Sequence, residues 1–343
     1  MSPQRPILNE RCRPGEVGDL LRVRSAFLRD VRDFFHQRDF LEVETPLLIP
    51  APDPSPHLNS FRTRYTAMNA QETELFLHTS PEFAMKRMVA LGYPRLFQIC
   101  KFFRNGEISP HHNPEFTGLE WYLMGADYHT VMSLTEDLVR SLWPEGSIHY
   151  QGNTFDISVP WERLTVFEAM NCYAGTSLQP GCSHEELSAV CTQKGLSVAE
   201  DDTWDDLFFK IFLTYVEPEL GKTRPTFLMD YPIEMAALAR PKPDEPRLAE
   251  RVELYIGGLE LCNGYSELTD PEMQRSRWEE EWAYRRERGE EVTRERGLLN
   301  ALAWGMGECT GVAVGLDRLL MLKLDTTCIE DVLPFPMKEF VEG

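Results

Sequence analysis

The sequence predicts an α+β fold in which helices flank an antiparallel sheet. Arg95 to Phe103 and Glu115 to Met124 are strand-like segments joined by a polar loop, the pattern of a long hairpin. Other strand-like segments are separated by long stretches rather than by the regular strand–helix alternation of a doubly wound fold. The 343 residues are 42% hydrophobic and 26% charged, which excludes a mainly disordered chain.

The sequence also predicts how the chain is divided. Residues 1–16 are rich in proline and charge and predict a flexible arm, whereas residues 17–343 predict a single domain. At about 160–220 hydrophobic residues recur at helical spacing, and we expect a mainly helical insertion there. No hydrophobic run reaches the ~20 residues of a membrane span, and the start lacks the core of a signal peptide. A cytoplasmic protein without a membrane partner is expected.

The first elements of the domain are a helix and a strand. From Asp19 onward hydrophobic residues follow helical spacing, and the helix is expected to end near Arg38. Phe40 to Pro46 then predicts a strand that proline closes. A second helix is expected after Ser80-Pro81, with the serine as N-cap and the proline as first helical residue.

Charge and cysteine content exclude several classes of function. The net charge is −20, and a dedicated nucleic-acid binder needs Lys and Arg to neutralise phosphates, so neither tRNA nor DNA is an expected partner. A local basic pocket for a small anion such as ATP stays compatible with this charge. The eight cysteines are irregularly spaced without a C-x-x-C pair, which argues against a zinc site or a disulfide framework.

The hairpin tip carries the first candidate site. Arg104 ends the first strand, His112 lies in the polar loop, and Phe116 lies on the returning strand. An arginine can hold a phosphate through two parallel hydrogen bonds, and an aromatic ring offers a face on which a base can stack. These residues predict a nucleotide clamp, although an ordinary hairpin with a polar tip fits the same pattern.

A second candidate site lies near the carboxyl terminus. Gly311 and Gly315 flank a strand at Val312 to Val314, and Arg318 falls in the first turn of the helix that follows. A basic residue at the positive end of a helix suits a second phosphate contact. Glycines that only allow tight strand–helix packing are the alternative.

Three glutamates lie between these two sites. Glu253, Glu260 and Glu267 are spaced by seven, so regular strands would alternate their faces and only a bend would bring them together. Two glutamates beside two phosphate-binding arginines suggest Mg²⁺ on a polyphosphate, and a third suggests an ammonium partner. Solvated glutamates on a strand face are the alternative.

Taken together, these segments resemble the three motifs of class II aminoacyl-tRNA synthetases. Phe40 to Pro46 resembles motif 1, Phe103 to Thr117 motif 2, and Gly311 to Arg318 motif 3, in the family's order. His-Asn-Pro-Glu-Phe-Thr with Leu-Glu-Trp-Tyr, and Gly-Leu-Glu-Leu-Cys-Asn-Gly-Tyr-Ser-Glu-Leu, resemble the lysyl branch. The resemblance implies a class II catalytic core, ATP and Mg²⁺ as cofactors, and a homodimer formed through motif 1.

The resemblance also separates two branches of this family. Bacterial lysyl-tRNA synthetases carry an amino-terminal anticodon-binding domain, for which the residues before the motif 1 helix leave no room. A core of this length resembles the elongation factor P–(R)-β-lysine ligases. That resemblance implies that (R)-β-lysine is activated as an adenylate and transferred to a lysine side chain of elongation factor P, which would be the protein partner.

The resemblance assigns residues to these roles. It implies that Arg104 and Arg318 are catalytic and that Glu253 and Glu260 hold the metal. The implied ATP-binding residues are Arg104, Asn105, Glu107, His112, Phe116, Glu260, Leu261, Gly315 and Arg318. The implied lysine-binding residues are Ser80, Pro81, Glu82, Tyr122, Asn263, Glu267 and Ala313.

Two positions depart from the lysyl-tRNA synthetase pattern. Ala313 replaces the central glycine of motif 3, and its methyl group narrows the amino-acid pocket around the α-carbon, which fits a substrate whose amino group has moved to the β-position. Gly106 separates Asn105 from Glu107 where motif 2 reads Arg-Asn-Glu, so either Glu107 takes over the adenine contact by a loop shift or the contact is partly lost.

Two alternatives remain open from the sequence. One is a stand-alone lysine-activating core that serves tRNA or a small acceptor. The other is a regulatory paralogue that binds ligands without chemistry. Gly106 favours the second alternative, and the joint presence of Arg104, Glu253, Glu260 and Arg318 argues against it.

Overall fold

The computed structural model describes residues 19–56, 58–290 and 293–341. The predicted arm at 1–16 lies outside the described residues. The chain divides into two compact units. The first contains the chain up to Gly125, Thr269–Cys309 and the chain from Ala313 onward, and the second contains Ala126–Leu268 and Thr310–Val312. The single domain at 17–343 stays a prediction.

The helices and strands follow one another from Leu20 to Val341. The strands are β1 (Leu41–Glu42), β2 (Leu48–Ile49), β3 (Arg62–Thr66), β4 (Glu72–Leu77), β5 (Arg95–Phe103), β6 (Glu115–Met124), β7 (Ser147–Tyr150), β8 (Asn153–Asp156), β9 (Glu162–Thr165), β10 (Thr226–Pro232), β11 (Pro241–Lys242), β12 (Glu245–Ile256), β13 (Leu259–Ser266) and β14 (Cys309–Gly315). The α-helices are α1 (Leu20–His36), α2 (Glu82–Ala90), α3 (Tyr128–Leu142), α4 (Val166–Tyr173), α5 (His184–Gln193), α6 (Trp204–Ile211), α7 (Pro271–Glu287), α8 (Gly297–Gly305), α9 (Leu316–Lys323) and α10 (Lys338–Val341).

Antiparallel pairing dominates the sheet within each unit. In the first unit β5 pairs with β6 antiparallel along its whole length and with β1 in parallel, and β4 lies between β2 and β3. In the second unit β12 pairs antiparallel with both β10 and β13, and β9 joins β10 in parallel. The predicted α+β class, an antiparallel sheet flanked by helices, is confirmed, as are the bounds of the predicted hairpin.

Helix α1 forms where its hydrophobic spacing predicts. The Asp19 side chain accepts a hydrogen bond from the amide of Arg22 as its N-cap. The helix buries Phe27, Val31, Phe34 and Phe35, as helical spacing predicts. It ends at His36, two residues before the expected boundary, and positive φ at Asp39 reverses the chain.

Two predictions of element boundaries were wrong. The strand expected at Phe40 to Pro46 is only Leu41–Glu42, the two residues that pair with β5. The N-cap of α2 is Pro81 rather than Ser80, so the helix begins one residue later than expected. Ser80 still stabilises that start, because its Oγ accepts the amide of Glu82 at 3.3 Å.

Residues 160–220 contain β9 and helices α4 to α6. Threonine or serine caps each of these helices and pairs with an acidic residue three positions on, which satisfies the first amides of the helix. Their shared core includes Phe167, Leu207 and Phe208. The assignment of this segment as an insertion stays a prediction. No helix within the described residues is long and apolar enough to span a bilayer.

Candidate active site

The first unit brings the predicted clamps of motifs 2 and 3 together. The guanidinium of Arg318, in the first turn of α9, donates to the carbonyl of His111 at 3.2 Å and to Nε2 of His112 at 2.7 Å. Arg104, at the end of β5, lies 5.3 Å from the centre of the Phe116 ring. Arg318 therefore contacts the loop of the hairpin to which Arg104 belongs, so both cations lie at one hairpin.

The pKa of His112 is lowered by burial and by the neighbouring arginines. Burial, followed by the positive charges of Arg318 and Arg104, lowers the pKa of His112 to about 4. The ring is neutral at pH 7, and a guanidinium only donates, so Nε2 accepts from Arg318 and Nδ1 carries the proton. Nδ1 then donates to Oγ of Ser109 at 2.8 Å.

Arg104 keeps part of its hydrogen-bonding capacity. Its Nε is buried without a hydrogen-bond partner among the described residues. Its NH1 group lies 3.8 Å from Glu107, a distance beyond a hydrogen bond. The Arg104 side chain is 33% exposed, so its guanidinium can reach an added anion.

The glycine inserted into motif 2 has a conformational reason. Gly106 has a φ of +88°, which favours glycine. The amide of Asn105 donates to the carbonyl of Asn59 at 2.8 Å and fixes the loop start. Gly315 is the N-cap residue of α9, and a Cβ added there would lie 3.7 Å from the Arg318 side chain, an ordinary van der Waals contact.

A buried ion pair fixes the start of α9, and the sequence analysis missed it. Asp317 accepts from Arg24 at 2.6 Å and from the amide of Thr117 on β6 at 2.7 Å. Asp317 is 1% exposed. Because Arg318 is the next residue, this pair helps to hold the motif 3 arginine beside the hairpin. The sequence did contain a signal for this contact, because it places an acidic residue, Asp317, in the first turn of a predicted helix.

Glu82, a predicted lysine-binding residue of the first unit, pairs with a buried cation that the sequence analysis missed. Lys86, 1% exposed, donates to Glu82 at 2.6 Å. The hydroxyl of Tyr122 donates to Glu120, which is also buried, at 2.6 Å. Ala313 lies on β14 and is partly exposed. Glu82 and Lys86 are four positions apart, a spacing at which opposite charges pair on a helix, so this contact was predictable from the sequence.

The second unit groups the glutamates expected to hold the metal. Glu253 lies opposite Asn263 and Tyr255 opposite Glu260 in the β12–β13 pair, with a register shift between Leu254 and Tyr255. After burial, the charge of Glu253 and then that of Glu260 raise the pKa of Tyr255, so both carboxylates lie near it. The register shift supplies the irregularity that the odd spacing required.

Glu253 is held by neighbours that the sequence analysis did not name. Its Oε1 accepts from Arg251 at 2.6 Å and its Oε2 from the hydroxyl of Tyr255 at 2.7 Å. Arg251 also donates to Asn263 at 3.3 Å. Residues two apart on a strand share a face, so the position of Arg251 was available in the sequence.

The remaining predicted residues of this unit lie on or beside β13. Leu261 is 2% exposed and Glu267, just past the end of the strand, is 2% exposed. Gly257 and Gly258 form the turn before β13 with φ values of +62° and +78°. The third glutamate of the predicted series is therefore buried rather than solvated.

The two clustered glutamates fit Mg²⁺ by their chemistry. Magnesium prefers carboxylate oxygens, and Oε2 of Glu253 accepts one hydrogen bond from the protein and retains a lone pair. Within the described residues, no group of three or more Asp, Glu, His or Cys side chains is arranged around a metal position. Each cysteine that the structure describes carries a free thiol.

Comparisons with known proteins agree with these motifs. The family model of tRNA synthetases class II (D, K and N) matches residues 9–339. The chain is 39% identical over 320 residues to elongation factor P–(R)-β-lysine ligases of Pseudoalteromonas translucida and Vibrio vulnificus, and it covers 94% and 95% of those proteins. It is 37% identical over 329 residues to a lysine–tRNA ligase of Pelotomaculum thermopropionicum but spans only 64% of that protein.

Proposed function

The chain belongs to the class II tRNA synthetases of the D, K and N type and, within them, to the elongation factor P–(R)-β-lysine ligases, and from that premise we propose its reaction. The enzyme is a ligase. It activates (R)-β-lysine with ATP and transfers the β-lysyl group to a lysine side chain of elongation factor P. The observation that carries this proposal is coverage, because the chain matches these ligases over nearly their whole length.

In the first step, the carboxylate of β-lysine attacks the α-phosphorus of ATP, and the bond to pyrophosphate breaks. Arg104 holds the α-phosphate, Arg318 the γ-phosphate, and Phe116 stacks on adenine. The available donor of Arg104 and the closeness of both arginines to one hairpin support these roles. Positioning and charge stabilisation supply the catalysis, so no covalent nucleophile is required.

Further residues of each unit have proposed roles. Glu253 and Glu260 would hold Mg²⁺, which when bound neutralises charge on the leaving pyrophosphate. Glu267 and Tyr122 hold the ε-ammonium of the substrate, and Glu82 holds its other amino group. We also propose a homodimer through the motif 1 region, supported by the exposed side chains of Leu41, Leu47 and Leu48.

The acceptor distinguishes the proposal from its main alternative. We expect efficient β-lysylation of elongation factor P and negligible charging of tRNA(Lys), because the chain has a net charge of −20 and matches the ligases of elongation factor P over their length. The measurement is incorporation of labelled lysine or β-lysine into each acceptor under the same conditions. The similarity to lysine–tRNA ligases supports the alternative, and comparable turnover on tRNA would establish it.

Ala313 tests the choice of amino acid. Ala313→Gly removes one methyl group and makes room for the α-amino group of ordinary lysine. We expect kcat/KM for α-lysine relative to (R)-β-lysine to rise about tenfold, the ~1–3 kcal/mol of one carbon in a pocket. Glu267→Gln is the matched control. Both amino acids present the same ε-ammonium, so this substitution should lower kcat/KM for both by the same factor. If Ala313→Gly leaves the ratio of kcat/KM for α-lysine to that for (R)-β-lysine unchanged, Ala313 has a packing role and does not select the substrate.

A further inference from the structure

A cleft in the first unit lies beside the proposed reaction site without a role in the steps above. Its volume is about 470 Å³, open solvent included. Leu58, Phe76 and Trp282 form its apolar lining, and Asp53 and Ser60 contribute polar groups. The Oγ of Ser60 is buried without a hydrogen-bond partner among the described residues. The cleft therefore combines an apolar wall with polar groups that a ligand can use.

One wall of the cleft is held in place by Arg285 of α7. Its guanidinium donates to the carbonyls of Pro54 at 2.9 Å, Leu58 at 3.0 Å and Ser55, and it pairs with Glu290 at 2.6 Å. One partly buried cation therefore binds the backbone carbonyls of Pro54, Ser55 and Leu58. Asp53 precedes these residues, and its Oδ1 accepts the amide of Ser55 at 2.9 Å. The carboxylate is thus held in a defined orientation.

Asp53 connects the cleft with the proposed site. Asn59 lines the same cleft, and its carbonyl accepts the amide of Asn105, the residue after Arg104, at 2.8 Å. The charges of Arg104 and Glu82, which are proposed to bind the α-phosphate and the substrate amino group, also act on the Asp53 carboxylate. The carbonyl carbon of an adenylate lies between those two groups by its chemistry. A nucleophile that enters this cleft therefore meets Asp53, which lines it.

The charge of Asp53 suits a proton acceptor. Burial raises its pKa to about 6, with Glu82 raising it and the Ser55 amide, Arg285 and Arg104 lowering it. Burial, with the charge of Asp53, also raises the pKa of the facing Glu281 to about 8. At pH 7 Asp53 is therefore the ionised member of this pair. A base with a pKa close to the working pH is the effective kind.

We propose that this cleft admits the acceptor lysine and that Asp53 binds its ammonium group and removes a proton from it. The inference rests on the proposed function. The four-carbon stem of a lysine matches the apolar lining, and its ammonium group matches the Asp53 carboxylate in the same lining. Asp53 is the catalytic residue for transfer, the step for which the sequence showed no base.

The transfer step moves two protons and forms one amide bond. The acceptor ammonium gives one proton to the Asp53 carboxylate and becomes a neutral amine. The amine nitrogen attacks the carbonyl carbon of the adenylate, the bond from that carbon to the phosphate oxygen breaks, and AMP leaves with the electron pair. The new amide nitrogen loses its second proton to water. Asp53 returns its own proton to water before the next cycle.

The test separates the two half-reactions in the full-length enzyme. Asp53→Asn keeps the acceptor oxygen for Ser55 but cannot take a proton, so we expect transfer to elongation factor P to slow by about 10²–10⁴-fold. Asp201→Asn, an exposed aspartate of the second unit, is the matched control and should transfer at the wild-type rate. Hydroxylamine serves as the comparison nucleophile. It is already neutral at pH 7, so it can attack the adenylate without a base that first removes a proton from it.

The outcomes distinguish the inference from the function on which it rests. A transfer defect in Asp53→Asn with wild-type trapping by hydroxylamine supports the inference. Equal transfer by Asp53→Asn and wild type overturns it, and so does an equal loss with both nucleophiles, which would mean a structural role. If the wild-type enzyme forms adenylate but modifies no elongation factor P, the proposed function fails instead.

Discussion

Replacing Arg318 by alanine is expected to lower the rate of adenylate formation by at least about 10²–10³-fold. One preorganised electrostatic donor typically contributes ~2.7–4 kcal/mol, and Arg318 is proposed to face a fully charged γ-phosphate. The fold should persist, because the guanidinium contacts a carbonyl and a neutral imidazole rather than the apolar core. ATP–pyrophosphate exchange with β-lysine measures the effect.

The control for this experiment is a surface arginine. Arg247 has a side chain that is 59% exposed and pairs only with Glu245 among the contacts described here, so Arg247→Ala should exchange pyrophosphate at the wild-type rate. Circular dichroism establishes that both variants are folded. Normal exchange by a folded Arg318→Ala protein would show that the motif 3 arginine does not contact the nucleotide.

Replacing Asp317 by alanine is expected to cost about 3–5 kcal/mol of unfolding free energy, the usual result of leaving one partner of a buried ion pair unpaired. Asp317→Ala would leave Arg24, 12% exposed, without its carboxylate and the amide of Thr117 without its acceptor. The melting temperature should fall by roughly 6–10 °C. Denaturant unfolding gives the free energy directly.

A double-mutant cycle separates the ion pair from simple loss of packing. Arg24→Ala with Asp317→Ala should cost less than the sum of the two single variants, because the second substitution removes the charge that the first left unpaired. Additive costs would mean that the two side chains contribute independently. Asp317→Asn is the conservative comparison, since it keeps an acceptor for Thr117 but loses the charge.

Much of the local structure was readable from the sequence. The hairpin strands begin and end where alternation and turn residues predict, and α1 follows its hydrophobic spacing to within two residues of its end. The motif residues Arg104 and Arg318 were also identified. These features depend on neighbours within a few positions, so the sequence itself contains the information.

Each wrongly predicted element boundary has a physical cause. The motif 1 strand is short because only Leu41 and Glu42 find a partner in β5, and strand pairing depends on the neighbouring chain rather than on propensity alone. Helix α2 begins at Glu82 because the chain turns at Pro81, although Ser80 still accepts the amide that an N-cap would accept.

The sequence by itself determined the family, the α+β class and the identity of the candidate phosphate-binding arginines. Only the tertiary structure decided what those side chains contact. Arg318 meets His112 across 206 positions of chain, and Asp317 meets Thr117 across 200. Such pairs form because packed elements bring distant residues together, and neither the spacing nor the composition of either segment encodes its partner. The same packing raises the pKa of Asp53, because in the folded chain burial and the charge of Glu82 outweigh the Ser55 amide and the charges of Arg285 and Arg104.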